Sequence, residues 1–326
     1  MLDECKRTID YLRISITDRC NLRCIYCMPE EGISMASHED ILSYDEILRI
    51  CRIAALLGVT KIKLTGGEPL VRKDALVLVK EIKSIKGIEK VTLTTNGVLL
   101  GDIIEELAKY KIDGINISLD TLDRKLYNQI TRFDLLHQVQ ESRHEVLKYP
   151  DIPVKINCVP LSLRSQNLID IAALAKDQKL HVCFIEMMPI GYGKNFEYLS
   201  EDSIIALLTE AFGPLSSYEE SLGNGPCHYY QLQGFQGKIG FISALSHQFC
   251  ASCNRVRLTS QGFLKSCLQY ETGKDLRLLL RSGADDKEIA AVMQECIRKK
   301  PTGHAFLTQQ FNGTQENRLI MSKIGG

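Results

Sequence analysis

Read for its alternation of apolar and polar positions, the chain opens on a strand. Tyr11-Leu12-Arg13-Ile14-Ser15-Ile16-Thr17 is rich in branched residues and alternates apolar with polar, the period of a half-buried β-strand. The period then switches repeatedly between two and about 3.6. Ile47, Leu48, Ile50, Ile53, Ala54 and Leu57 fall at helical spacing, and Gly58 follows as a stop. Residues 60–65 predict the next strand, 74–84 a helix, 91–95 a strand, 103–110 a helix and 115–119 a strand. A polar helical region reaches residue 147, followed by a strand over 154–159, a helix over 168–175 and a strand over 181–187. Strict alternation of six β/α repeats argues for a parallel sheet with right-handed crossovers. A complete eight-unit barrel needs ~250 residues. An α/β fold of partial (β/α)6 barrel type is therefore expected over residues 1–190.

From Pro189 the pattern changes. Gly191-Tyr192-Gly193-Lys194 reads as a loop, 203–212 as a helix and 223–226 as a Gly/Pro-rich linker. Strands are predicted over 229–232 and 238–243, then a hairpin of 256–259 with 263–265. Residues 191–326 are thus expected to form an α+β extension to the barrel.

Composition adds bounds. Lys+Arg 40 balances Asp+Glu 40, so no general affinity for nucleic acid or an anionic membrane is implied. The start of the chain is charged, and no apolar run approaches the ~20 residues that span a bilayer. The expected location is the cytosol. Of 12 cysteines, six fall into two tight triads, which favours metal or cluster binding over bridging. Cys5, Cys51, Cys158, Cys227 and Cys296 read as inert or buried thiols.

The first triad, Cys20, Cys24 and Cys27, is spaced C-x3-C-x2-C on the loop leaving the first strand, where α/β enzymes place their chemistry. Soft thiolates at this spacing select zinc or an iron–sulfur cluster. Three ligands leave one position open, as a catalytic site does; a zinc loop completed by His38 is the competing reading. With Tyr26 before the last cysteine, the motif resembles the radical S-adenosylmethionine (SAM) enzymes. There, three cysteines hold a [4Fe–4S] cluster whose free iron chelates SAM, on the same partial barrel. Thr65-Gly66-Gly67-Glu68-Pro69, also an ordinary turn, matches that family's contact with the SAM amino group, with glycines admitting a ligand to the backbone. The resemblance implies SAM contacts by Tyr26, Gly66, Gly67, Glu68, Ser118 and Met188.

The second triad is Cys250 and Cys253 with Cys267 fourteen positions on. Spacing alone leaves a zinc ribbon completed by His247 level with a cluster. Together the two triads resemble the GTP 3′,8-cyclase branch of the radical-SAM enzymes. That branch serves molybdenum cofactor biosynthesis and carries a second three-cysteine [4Fe–4S] cluster in a C-terminal cap. Cys253-Asn254-Arg255-Val256-Arg257-Leu258-Thr259 matches its C-N-R-x-R-L-T segment, and Gly325-Gly326 its tail, which reaches the active site.

The reaction this implies starts from reductive cleavage of SAM to a 5′-deoxyadenosyl radical. Hydrogen is abstracted from C3′ of GTP, and C3′ then attacks C8 of guanine to give 3′,8-cyclo-7,8-dihydro-GTP. Arg13, Lys63, Thr94, Lys155, Arg255, Val256 and Arg257 are the implied GTP contacts, and Arg255, Arg257, Gly325 and Gly326 the implied catalytic positions. The residues support part of this independently. Lys63 and Lys155 alternate with apolar neighbours on their strands, so they point into a barrel interior where an unpaired Lys is costly without an anion. The implied partners are GTP, an external electron donor and a downstream cyclic pyranopterin monophosphate synthase; a homodimer stays open. Three departures fall on the nucleotide side: Lys63 where the family has Arg, Cys183 where it has Arg, and Leu161-Ser162-Leu163-Arg164-Ser165 where it has Met-Arg-Gly-x-Asn. They keep open a paralogue acting on another nucleotide or a peptide. A non-enzymatic zinc or cluster scaffold is the third reading.

Overall fold

The computed structural model describes residues 1–163, 166–306 and 321–325. In chain order the first elements are β1 (Tyr11–Ser15), α1 (Tyr44–Leu56), β2 (Lys61–Thr65), α2 (Ala75–Lys83), β3 (Lys90–Thr95) and α3 (Ile104–Lys109). Then come β4 (Ile115–Ser118), α4 (Arg124–Thr131), α5 (Leu136–Val146), β5 (Val154–Cys158), α6 (Leu168–Asp177) and β6 (His181–Ile185). The C-terminal part adds α7 (Glu201–Phe212), β7 (Ser216–Tyr218), β8 (His228–Gln231), β9 (Ile239–Ile242), β10 (Arg255–Leu258), β11 (Phe263–Lys265) and β12 (Gly273–Asp275). The last helices are α8 (Leu276–Arg281), α9 (Asp286–Arg298) and α10 (Met321–Ile324).

The chain forms two compact units that cut across a division at residue 190. One comprises Met1–Asn21, Gly32–Leu93 and the chain from Cys250; the other comprises Leu22–Glu31 and Thr94–Phe249. In the first unit the strand order is β12-β11-β10-β1-β2-β3. β10, β1, β2 and β3 run parallel, and β11 and β12 join antiparallel. In the second unit the order is β4-β5-β6-β9-β8-β7, with β4, β5, β6 and β9 parallel and β8 and β7 antiparallel. Each unit therefore holds three of the six expected β/α strands. The C-terminal strands extend each sheet directly, β10 beside β1 and β9 beside β6. The pattern Arg255-Val256-Arg257-Leu258 continues the alternation of β1, so the same two faces run on across the join.

Helix ends follow local chemistry. Ser43 and Glu46 form a capping box at the start of α1, and Asp285 with Glu288 does the same for α9, each satisfying orphan backbone donors. The polar stretch read as one helical region is two helices. Asp123 accepts from the Leu126 amide to start α4, and Arg132, at φ 62°, ends it. β7 and β12 span three residues each and carry no readable alternation.

Candidate active site

In the first unit, alternation along the strands sorts side chains onto two faces. Leu12, Ile14, Ile62, Leu64, Val256, Leu258 and Leu264 are buried on the apolar face, each contributing roughly 1.5–3 kcal/mol by leaving water. Charge gathers on the other. Register pairs Lys63 with Arg13, Arg13 with Arg257, and Arg257 with Lys265. Four cations thus stand in one row across β2, β1, β10 and β11. One step back, Tyr11 pairs with Lys61 and Arg255; one step on, Ser15 pairs with Thr65. Burial lowers the Arg13 guanidinium to about 10, with Arg255 acting in the same direction against the effect of Tyr11. Burial, then Arg13 and Arg255, hold Arg257 well below the usual arginine range.

The chain end lies on this polar face. Arg257 Nη1 donates to the Gly325 carbonyl at 2.9 Å. Gly325 has φ +80°, and a Cβ there would come 2.9 Å from Ser15 Cβ and 3.0 Å from Thr65 Cγ2. Only glycine fits that position without strain. Gly326 lies outside the described residues, as do Arg164 and Ser165 of the departing segment.

The second triad belongs to the same unit. Cys250, Cys253 and Cys267 are half-buried free thiols, and the Cys253 amide donates to the Cys250 carbonyl at 3.2 Å. Burial raises the Cys250 thiol, and the nearby Cys253 and Cys267 raise it further against a bond from the His304 backbone. The three sulfurs are thus within electrostatic reach of one another. Burial also acts to raise Cys253, but Arg255 and Lys300 more than offset it and bring the thiol to about 7. Lys300 is fixed there by bonds to the carbonyls of Arg255 (2.9 Å) and Ser266 (2.5 Å). Three thiols under local positive charge suit a three-cysteine iron–sulfur cluster. Among the described residues no three His, Cys, Asp or Glu side chains converge as ligands of a single ion do. His247, the candidate zinc ligand, instead lies 3.5 Å from Glu201, and His38 is 3.4 Å from Arg19 Nη2.

The Gly-Gly-Glu-Pro turn also meets another stretch of chain. The Gly67 amide donates to the Thr17 carbonyl, and the Glu68 amide to the Arg19 carbonyl, both at 2.8 Å. A Cβ on Gly66 would come 2.7 Å from the Thr17 carbonyl oxygen. The glycines therefore admit the segment Thr17–Arg19 that leads into Cys20. Glu68 is buried, and its side chain accepts from the Leu70 amide at 3.0 Å.

Cys20 belongs to the first unit, while Cys24 and Cys27 belong to the second, where the Cys27 amide donates to the Cys24 carbonyl at 2.9 Å. In that second unit, Cys24, Tyr26, Asn96, Ser118, Asp120 and Thr121 line one cavity with Leu22 and Tyr127. The Tyr26 hydroxyl donates to Asp120 Oδ2 at 2.7 Å, and the Val159 amide donates to Oδ1 at 2.8 Å. Burial raises the Asp120 carboxyl to about 6 despite those two bonds. Burial, Asp120 and Cys24 push the Tyr26 hydroxyl well above its usual value. Two of the expected SAM contacts, Tyr26 and Ser118, thus share a cavity with Cys24 of the first triad. Met188 is not among its lining residues; its carbonyl accepts from the Ile190 amide at 2.7 Å.

The polar face of the second unit carries Lys155 paired with His181, and Asn157 with Cys183. Lys155 Nζ donates to the Tyr229 hydroxyl. Thr94 Oγ1 is buried with no hydrogen-bond partner among the described residues. Cys183, where the resemblance leads one to expect Arg, has its sulfur 3.2 Å from Cys227 Sγ. Burial would raise the Cys227 thiol, yet the bond to Cys183, the Lys155 charge and Tyr229 bring it to about 7. Asp120 and Lys265 escaped the sequence reading as site residues. Asp120 carried only a strand-end signal, and Lys265 required the hairpin register. Val256 shares its strand with Arg255 and Arg257 but turns into the core.

Two family models match the chain, the Radical SAM superfamily over residues 14–201 and Molybdenum Cofactor Synthesis C over residues 180–306. With its β/α order and the Cys20 motif, this is a radical SAM protein, on the α/β fold of partial (β/α)6 type expected from the sequence. The solved structure of Streptococcus suis SuiB bound to S-adenosylmethionine is similar in fold, with TM-score 0.59, 18% identity, and coverage of 88% of this chain and 68% of that one. Much closer in sequence are GTP 3′,8-cyclases. That of Clostridium perfringens (strain 13 / Type A) is 41% identical over 327 residues, 100% of both chains. That of Syntrophomonas wolfei subsp. wolfei is 42% identical over 331 residues, again 100% of both. The chain belongs to the GTP 3′,8-cyclase family. Among the described residues no helix is long and apolar enough to cross a membrane.

Proposed function

We propose that the protein is a lyase that cyclises GTP to 3′,8-cyclo-7,8-dihydro-GTP, the first committed chemistry of molybdenum cofactor biosynthesis. The observation that carries this reading is the polar face of the first unit. There Lys63, Arg13 and Arg257 stand in register, with Gly325 bonded to Arg257 and three free thiols in the same unit. Such a row suits a polyanionic nucleotide, with guanidiniums able to take phosphate oxygens in pairs and Lys63 acting as a point charge.

Cys20, Cys24 and Cys27 would hold one [4Fe–4S] cluster, and Cys250, Cys253 and Cys267 a second. Bound SAM and the first cluster supply one-electron chemistry able to remove a ribose hydrogen atom. Tyr26 and Ser118 orient SAM in the cavity they line, and Asp120 locks the Tyr26 ring by its hydrogen bond. Gly66, Gly67 and Glu68, which also hold the entry to the first thiol loop, contact the SAM amino group, and Met188 completes the SAM contacts. Arg13, Lys63, Thr94, Lys155, Arg255 and Arg257 bind GTP, with Val256 contributing through its backbone. Arg257 and the Gly325-Gly326 tail keep water from the reacting ribose. An external electron donor, a downstream synthase that takes the cyclised nucleotide, and a cytosolic setting follow from the same reading.

An anaerobic assay of reconstituted protein with SAM, reductant and GTP tests it, with iron and sulfide counted on the same sample. GTP-dependent 5′-deoxyadenosine and a cyclised nucleotide are expected. SAM cleavage indifferent to GTP would favour a paralogue with another substrate, the reading supported by Cys183 in place of Arg.

A further inference from the structure

Lys265 completes the cation row, and none of the sequence motifs included it. Its side chain is 0% exposed, and its Nζ has no hydrogen-bond partner among the described residues. Lys300, a second buried lysine of the same unit, shows the ordinary solution, with its ammonium on the carbonyls of Arg255 and Ser266. Lys265 lacks any such arrangement. Its strand neighbour Arg257 carries the same charge, and on its other side it pairs with Gly273, which offers no side chain. A carboxylate, Glu271, contributes to its electrostatic surroundings without bonding Nζ.

Burying an ammonium beside a guanidinium with no acceptor opposes folding. Such a residue persists where a bound anion satisfies it. The row holds Arg13 as well, whose Nε is also buried without a partner among the described residues. Both open donors therefore lie in one row, on one face.

We propose that Lys265 is a substrate-binding residue, the fourth cation of the row, which takes a phosphate oxygen of the nucleotide's polyphosphate. This rests on the GTP reading above and adds a contact to it. The row Lys63–Arg13–Arg257–Lys265 then meets a chain of phosphates with a row of donors, so recognition grows with phosphate number.

The test uses the cluster-loaded enzyme as wild type, Lys265→Met and Lys265→Arg. Affinities are measured for GTP, for guanosine, and for inorganic triphosphate alone. Lys265→Met should weaken GTP and inorganic triphosphate tenfold or more, leave guanosine within twofold, and raise the unfolding temperature of the ligand-free protein. Lys265→Arg should recover most of the loss. Iron content and the cluster spectrum should match wild type. An unchanged GTP-to-guanosine affinity ratio in Lys265→Met would overturn the assignment. So would loss of the second cluster's iron, which would make Lys265 a support for the thiolates instead. If Lys265→Met does not fold, Lys265→Gln carries the same comparison. Should wild type prefer another nucleotide over GTP, the GTP reading fails, and the inorganic triphosphate arm alone decides whether Lys265 binds phosphate.

Discussion

Gly325→Ala probes how the chain end is seated, because two independent costs fall on one methyl group. Gly325 has φ +80°, a conformation that costs an L-residue ~1–2 kcal/mol. The added Cβ would also sit 2.9 Å from Ser15 Cβ and 3.0 Å from Thr65 Cγ2. Ser15 and Thr65 are buried in paired strands and cannot give way cheaply, so overpacking adds roughly 1–3 kcal/mol. Against that total of ~2–5 kcal/mol stand the contacts of the described tail residues. The Arg257 bond is worth ~1.5–3 kcal/mol, and burial of Ile324 roughly 1.5–3 kcal/mol. The cost approaches the ~3–6 kcal/mol hold, so the tail should leave its seat in a sizeable share of molecules. GTP-dependent formation of 5′-deoxyadenosine should therefore fall several-fold. The unfolding midpoint should barely move, because neither sheet depends on the tail. Lys323→Ala, in the same short helix, is the control and should keep near-normal turnover. Turnover of Gly325→Ala within twofold of wild type would refute the reasoning.

Other expectations concern acid sensitivity, thiol reactivity and one buried ammonium. Asp120 binds its proton up to about pH 6 when folded, against a usual value of 3.8, so the folded state carries the extra proton in that window. Stability should then fall as pH rises from about 4 to 6, by roughly 3 kcal/mol at ~1.36 kcal/mol per unit. Asp120→Asn should flatten that slope in urea unfolding of the apo-protein, and an equally steep slope would count against it. Cys227, half-exposed and brought to about 7, should be alkylated by iodoacetamide faster than Cys51 or Cys158, whose thiols burial pushes up. Peptide mass spectrometry reads this, and Cys183→Ser should slow it. Lys300→Met removes two bonds to backbone carbonyls and the charge that favours the Cys253 thiolate. It should cost ~2–4 kcal/mol and lower iron per chain, and full iron with unchanged stability would show that Lys300 is dispensable.

Much of this was legible in the chain because period two and period 3.6 are local properties. Every strand expected before residue 190 is present, with ends displaced by a residue or two, and the two thiol motifs are contiguous enough to read directly. What escaped depends on which strands become neighbours. Arg13 and Arg257 lie far apart in sequence, and nothing in either segment announces that β10 pairs with β1. Cys183 and Cys227 are 44 positions apart, so their contact is invisible to spacing. The Gly-Gly turn was legible as a close approach, but its contact with Thr17–Arg19 was not.

The cation row shows why charge is the harder half of a site to read. Alternation reveals that Arg13, Lys63, Arg257 and Lys265 each face away from the apolar neighbours on their own strands. It does not reveal how many of them face one another. Their number in a single row follows from three registers, two parallel and one antiparallel, and a one-residue slip in any of them would turn a cation into the core. Burying Val256 and Leu258 beside Leu12 and Ile14 fixes the first of these, Ile62 and Leu64 the second, and Leu264 beside Leu258 the third. The apolar face therefore decides how much positive charge the polar face presents to an anion, and the phosphate recognition proposed for the first unit would be a consequence of core packing as much as of the arginines and lysines themselves.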